Sequence, residues 1–131
     1  MSNILNTQTL RDLDAQFAIL GVAGYALPVR FLVRGSVVEC PVPTWSGVGD
    51  LLEKMEEVTL VAVQNSDTYL RWFFLRGTGT VIKDPDWEGL VPPQHGRVDP
   101  GDLYQLLRIE PNRMELFDEQ RGWGFRETAD F

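Results

Sequence analysis

The residues best suited to do chemistry in this chain are Thr44, Ser46 and the backbone around them. Thr44-Trp45-Ser46-Gly47-Val48-Gly49 stands where an apolar alternation, Val38-Cys40-Val42, gives way to a helical spacing. Unpaired N–H groups at a helix start, the positive end of its dipole and two hydroxyl groups would converge there on an anion. A plainer use of the same residues is Ser46 as an ordinary N-cap. The second candidate is Arg71-Trp72-Phe73-Phe74-Leu75-Arg76-Gly77-Thr78-Gly79-Thr80-Val81. Its glycine pair looks like a phosphate loop, but such loops run into a helix, and Thr80-Val81-Ile82 continues as strand. Alternation instead puts Trp72, Phe74 and Arg76 on one face and Arg71, Phe73 and Leu75 on the other. This predicts a central strand covered on both sides and bent by a bulge at Gly77 to Gly79.

Nucleophilic and metal chemistry find little to work with. Cys40 is the one cysteine and His95 the one histidine, so a single chain can build neither a disulfide framework nor a thiolate or imidazole metal cluster. Cys40 lies in the apolar alternation and reads as a small buried hydrophobe. His95 falls in the turn-rich Pro92-Pro93-Gln94-His95-Gly96. Gly-x-Ser-x-Gly is absent, and the carboxylates are scattered through turns such as Asp84-Pro85-Asp86, so no acid–base pair stands out.

Charge narrows the partners. With 12 Lys+Arg against 19 Asp+Glu, the formal charge of -7 disfavours a nucleic-acid backbone or an anionic membrane. Only Lys54 and Lys83 of the positive residues are lysines, and the arginines suit planar anion contacts. With 44% hydrophobic and 24% charged residues in 131, one globular domain spanning 1–131 is expected, with its core at about 9–127. No apolar run nears the roughly 20 residues of a membrane helix and no signal-type start is seen, so a cytoplasmic protein is expected.

The elements that must position these residues are mostly strands. Thr9 and Asp12 resemble a capping box, with Leu10, Leu13 and Phe17 on one face of a helix at about 9–17. β-rich runs follow, predicting hairpins at Arg34-Gly35, at Asn65-Ser66-Asp67 and at Pro111-Asn112. A second helix begins at Ser46 and carries Trp45, Val48, Leu52 and Met55 on one face up to Glu57. Six or more antiparallel strands with a few helices point to a mainly β fold, a small closed or partly closed β-barrel.

This succession resembles the pyridoxamine 5'-phosphate oxidase-like, FMN-binding split-barrel superfamily. Gly77-Thr78-Gly79 followed by Asp84-Pro85-Asp86-Trp87 is similar to its central strand's bend and acidic loop. Leu106-Leu107-Arg108-Ile109-Glu110-Pro111-Asn112-Arg113-Met114-Glu115 is similar to its penultimate strand, and the likeness covers about residues 9–127. The resemblance implies a homodimer holding FMN at the subunit interface, with the phosphate near Thr44, Trp45 and Ser46. Family members usually carry basic residues just after the serine, where this chain has Gly47 and Val48. Arg30, Arg71 and Arg76 are the substitutes at hand. Under this reading Thr44, Ser46, Arg71 and Arg30 hold the phosphate or ribityl chain, and Trp45 or Trp72 packs near the ring. Arg71 and Arg76 have a second use open to them, as ion pairs with acids such as Asp67 or Asp84. The alternative is a dimeric split barrel that has lost FMN or holds another planar ligand, haem or a deazaflavin. A third reading takes the four tryptophans as anchors of a protein-interaction barrel.

Overall fold

The structure is a computed structural model that describes residues 5–13, 15–53, 57–64, 68–91 and 98–131. His95, Met55, and the Asn65-Ser66-Asp67 turn lie outside the described residues. Eight strands form one antiparallel sheet: β1 (Phe17–Val22), β2 (Tyr25–Arg30), β3 (Leu32–Arg34), β4 (Val37–Pro43), β5 (Glu57–Val63), β6 (Arg71–Ile82), β7 (Tyr104–Asp118) and β8 (Arg126–Asp130). Their spatial order is β2-β1-β5-β6-β7-β4-β3, with β8 added to β7. The sheet curls until β2 lies against β4, which gives the half-closed barrel that the strand texture predicted. Among the described residues no helix is long and apolar enough to cross a membrane.

Alternation decides what the curled sheet encloses. Leu20, Val38, Cys40, Val42, Leu60, Ala62, Phe73 and Leu75 point inward and are essentially sealed from solvent. The helices are short. α1 is Thr7–Asp12, capped by the Asn6 side chain on Gln8 N–H and not by Thr9, while Phe17 already begins β1. α2 is only Val48–Leu52, so Glu57 opens β5 and does not close the helix. Trp45 stands 80% exposed in a 3-10 turn before that helix, off the apolar face assigned to it. α3 (Pro100–Leu103) leads into β7.

One of the expected turns forms and another does not. Gly35 closes the β3–β4 hairpin with a positive φ of 59°. Pro111-Asn112, expected to turn a hairpin, instead lies inside the 15-residue β7. Opposite Arg76-Gly77 the register slips by one residue, so Asn112 is the extra residue of a bulge. Gly77 is required there, because a Cβ on it would lie 2.1 Å from the Glu110 carbonyl oxygen. Pro111, which has no N–H to give, falls where β4 has ended and β8 has not begun on the neighbouring edge. The bulge also switches which residues face inward, from Leu107 and Ile109 to Met114 and Leu116.

Candidate functional site

The barrel is left open between β2 and β4, and prolines explain why. β3 pairs with β4 only through Glu39, so Cys40 to Pro43 present a free edge. Pro41 and Pro43 on that edge, and Pro28 on β2, lack the N–H groups that a ladder would need. The slit between these edges is a cleft of about 270 Å³, walled by Phe17, Pro28 and Arg30 on one side and by Pro41, Pro43 and Tyr104 on the other. Leu90 and Val91, from the segment after β6, close one end of it. The walls are apolar, and Arg30 and the Tyr104 hydroxyl are the polar groups among them.

Arg30 therefore has the position expected of an anion ligand. Its guanidinium lies 5.2 Å over the Phe17 ring, and among the described residues no carboxylate pairs with it. Thr44, Trp45 and Ser46 follow directly on Pro43 at the cleft's rim. Their hydroxyls are engaged in shaping the turn: Thr44 Oγ1 donates to Leu103 O at 3.2 Å, and Ser46 Oγ donates to Pro43 O at 2.6 Å. The residue before α2 in its cap position is Gly47, with φ 73°, while Val48 N–H lies 3.4 Å from Ser46 Oγ. Among the described residues the cation lining the cleft is thus Arg30 on β2, in place of any residue after the serine.

Arg71 and Trp72 lie at the other end of β6. Arg71 is opposite Asp118, whereas Ile82 is opposite Leu106, close to the cleft's end of β7. The Arg71 Nε is 3.3 Å from the buried Asp118 carboxylate, a meeting of charges without an aligned hydrogen bond, and its Nη1 donates to Gln64 Oε1 at 2.8 Å. Its partner is thus Asp118 and not Asp84, while Asp67 lies outside the described residues. Arg76 lies opposite Arg113 on the outer face.

Trp72 is better placed for recognition than Arg71. Cross-strand pairs run Arg30–Phe17 and Val63–Trp72–Phe117–Arg126, and Phe17 is next to Ala18, which pairs with Ala62 beside Val63. One outward row therefore crosses five strands from Arg30 to Phe117. At about 4.8 Å per strand, Arg30 and Trp72 stand roughly 14 Å apart on the same face. Trp72 and Phe117 stack at 5.3 Å and 4°. The next row repeats the pattern with Pro28, Ile19, Val61 and Phe74. Sequence alternation predicts that Trp72 and Phe74 share a face, but the pairing that joins them to Phe17 and Arg30 needs the fold.

Eighteen chains of solved structures match this fold. One is a protein related to general stress protein 26 of Bacillus subtilis, of the pyridoxinephosphate oxidase family, from Clostridium acetobutylicum. It has a TM-score of 0.67 at 15% identity and covers 95% of this chain and 92% of its own. The fold is the split barrel. A pyridoxamine 5'-phosphate oxidase-related, FMN binding protein from Nostoc punctiforme matches at TM-score 0.62 and 11% identity, over 95% and 91% of the two chains. The FAD binding protein of Mycobacterium smegmatis matches at 0.60 and 10%, over 98% and 100%. No protein-family model and no curated protein sequence matches the chain. At these identities the likeness establishes the split-barrel fold, and the ligand rests on the chain's own residues.

Proposed function

We propose that this protein is a homodimeric FMN-binding split barrel related to pyridoxamine 5'-phosphate oxidase and acts as a flavin-dependent oxidoreductase. The observation that carries the reading is the proline-held cleft lined by Arg30, an arginine that pairs with no carboxylate among the described residues, with Pro43 leading from its wall into the Thr44–Ser46 turn. A guanidinium is the side chain best shaped for a phosphate group, and an aromatic under it fixes its direction. The remaining contacts are Phe17 and Tyr104 as flat apolar walls, Thr44, Trp45 and Ser46 at the rim, and Trp72 further along the face. Arg71 is left to Asp118.

The donor set fits a flavin mononucleotide with fewer charges than is usual. One arginine stands in for the basic pair that Gly47 and Val48 replace, so binding weaker than in a doubly charged site is expected. The cleft of one chain, about 270 Å³, is below the roughly 300 to 1,000 Å³ of ordinary cofactor sites. A second copy laid on the outer rows would complete it. Redox chemistry in this reading is supplied by the bound isoalloxazine. The chain's part is to hold the phosphate at Arg30, to exclude water with Phe17, Pro41 and Leu90, and to offer the Tyr104 hydroxyl as the proton-bearing group in the cleft wall.

Titration of the purified protein with FMN, read by flavin and tryptophan fluorescence, tests the reading. Saturable binding in the micromolar range or tighter that Arg30→Ala weakens about tenfold to a hundredfold is expected from loss of one charge-assisted contact. Absence of saturable binding would overturn it.

A further inference from the structure

Glu39 is an acid on a strand whose neighbours on both sides are apolar, and it is 2% exposed. Its burial is made tolerable by two arginines. Arg108, directly opposite on β7, donates from Nε and Nη2 to Glu39 Oε2 at 3.1 and 2.9 Å. Arg34, at the end of β3, contacts the other carboxylate oxygen, Oε1. Beside the group runs the segment that follows β6, Asp84–Val91, as a strap: its Asp84, Pro85 and Asp86 line one hollow with Arg34, Glu39, Leu106 and Arg108.

The strap is attached at both ends of its course. Arg34 Nη2 reaches back to the Asp86 and Glu88 carbonyl oxygens, each at 3.5 Å, and among the described residues these are the strap's hydrogen bonds to the barrel. Asp86 Oδ1 accepts from Glu88 N–H at 3.0 Å, and Trp87 leans on Tyr104 with ring centres 6.5 Å apart. Further along, Leu90 is fully buried yet lies outside the barrel's core cluster, and it walls the cleft together with Val91.

We propose that Arg34, Glu39 and Arg108 are positioning residues for the ligand cleft: Glu39 orients Arg34, Arg34 holds the strap, and the strap sets Leu90 and Val91 against the ligand. The inference rests on the flavin reading of the cleft but has a readout of its own. A carboxylate answered by two arginines fixes the direction of both guanidiniums, and Arg34 turns that direction into a hold on backbone carbonyls. No part of the cluster lines the cleft, so it acts on a ligand only through the strap.

The test compares wild type with Arg34→Gln and Glu39→Gln by hydrogen exchange of the 84–91 peptide and by FMN titration. Arg34→Gln leaves Glu39 paired with Arg108, so the fold survives even if Glu39→Gln does not. Expected is faster strap exchange in each folded variant, with exchange of β6 unchanged, and FMN binding weakened about tenfold. In a Leu90→Ala background, or Val91→Ala should that chain fail to fold, Arg34→Gln should weaken FMN binding by less than it does in wild type. Unchanged strap exchange would overturn the inference, and so would an equal loss in both backgrounds. Wild-type protein that binds no FMN would remove the proposed function, and strap exchange alone would then decide whether the cluster positions the strap.

Discussion

The two halves of the barrel's outer surface are finished in different ways. Beside β3, β4 and the first half of β7 the chain lays its own strap, and Glu39 and Leu106 next to it, with Leu90 on it, are buried. Over β1, β5, β6 and the second half of β7 nothing among the described residues is laid, and two rows of apolar residues remain, with Phe17, Ile19 and Val63 each about half exposed. A covered apolar face is a satisfied one, whereas a bare face of several aromatic and branched side chains marks an interface. The bulge at Asn112 sits at the border of the two halves, and Arg30 stands at the far end of the bare one. This contrast is the physical support for a dimer.

Consecutive phenylalanines of β6 give the strongest test of that contrast. Phe73 is 1% exposed in the core, so Phe73→Ala should cost about 3–5 kcal/mol in denaturant unfolding, enough to leave much of the chain unfolded. Phe74 lies on the bare face, and Phe74→Asp should leave a folded chain while shifting sedimentation from dimer to monomer. An unpartnered carboxylate buried once per copy costs about 3 kcal/mol in the assembly and little in the isolated chain. A wild type that sediments as a monomer at high concentration would break the comparison.

The two arginines sharpen it at a smaller scale. Arg71 answers the buried Asp118, so Arg71→Ala should lower stability by about 2 kcal/mol and leave FMN affinity within about twofold. Arg30 answers no acid among the described residues, so Arg30→Ala should do the reverse, lowering FMN affinity with little change in unfolding. Equal effects of the two substitutions on FMN binding would count against placing the phosphate at the cleft.

Much of this division was legible in the sequence, and the failures have physical causes. Period-two alternation identified the strands, the two faces of Arg71–Arg76 and the bulge at Gly77, because side-chain direction in a strand depends only on position. Pro111-Asn112 misled because the same residues suit a turn and a bulge, and only the neighbouring edges, empty at that point, decide between them. Trp45 misled because a helical spacing was continued through a 3-10 turn that ends in a left-handed glycine. The meeting of Arg30 with Pro41 and Pro43 across one cleft, and of Glu39 with Arg34 and Arg108, joins distant segments through sheet order, which alternation does not encode. The three prolines at the slit were visible in the sequence as residues that cannot donate to a ladder, and they were the available signal for where the barrel stays open.

Cys40 offers the smallest effect and a check on the inner face alone. It is completely enclosed on β4, and burial, with a lesser push from the neighbouring Glu39 charge, raises its thiol well above the ordinary value. The unfolded chain releases this proton near pH 8.5 while the folded chain keeps it, so above that pH the unfolded state binds fewer protons and stability must fall as pH rises. At pH 9 the loss relative to pH 7 should be about 1 kcal/mol, growing by about 1.4 kcal/mol for each further pH unit until the folded thiol itself ionises. Cys40→Ala should lower stability at pH 7 through the lost packing and remove this part of the alkaline slope. Folded wild-type protein should also resist alkylation at pH 8, since the reactive thiolate is scarce and sealed. Rapid alkylation without unfolding would mean that β4 opens at its free, proline-bearing edge, and the cleft would then be a breathing seam in place of a fixed one.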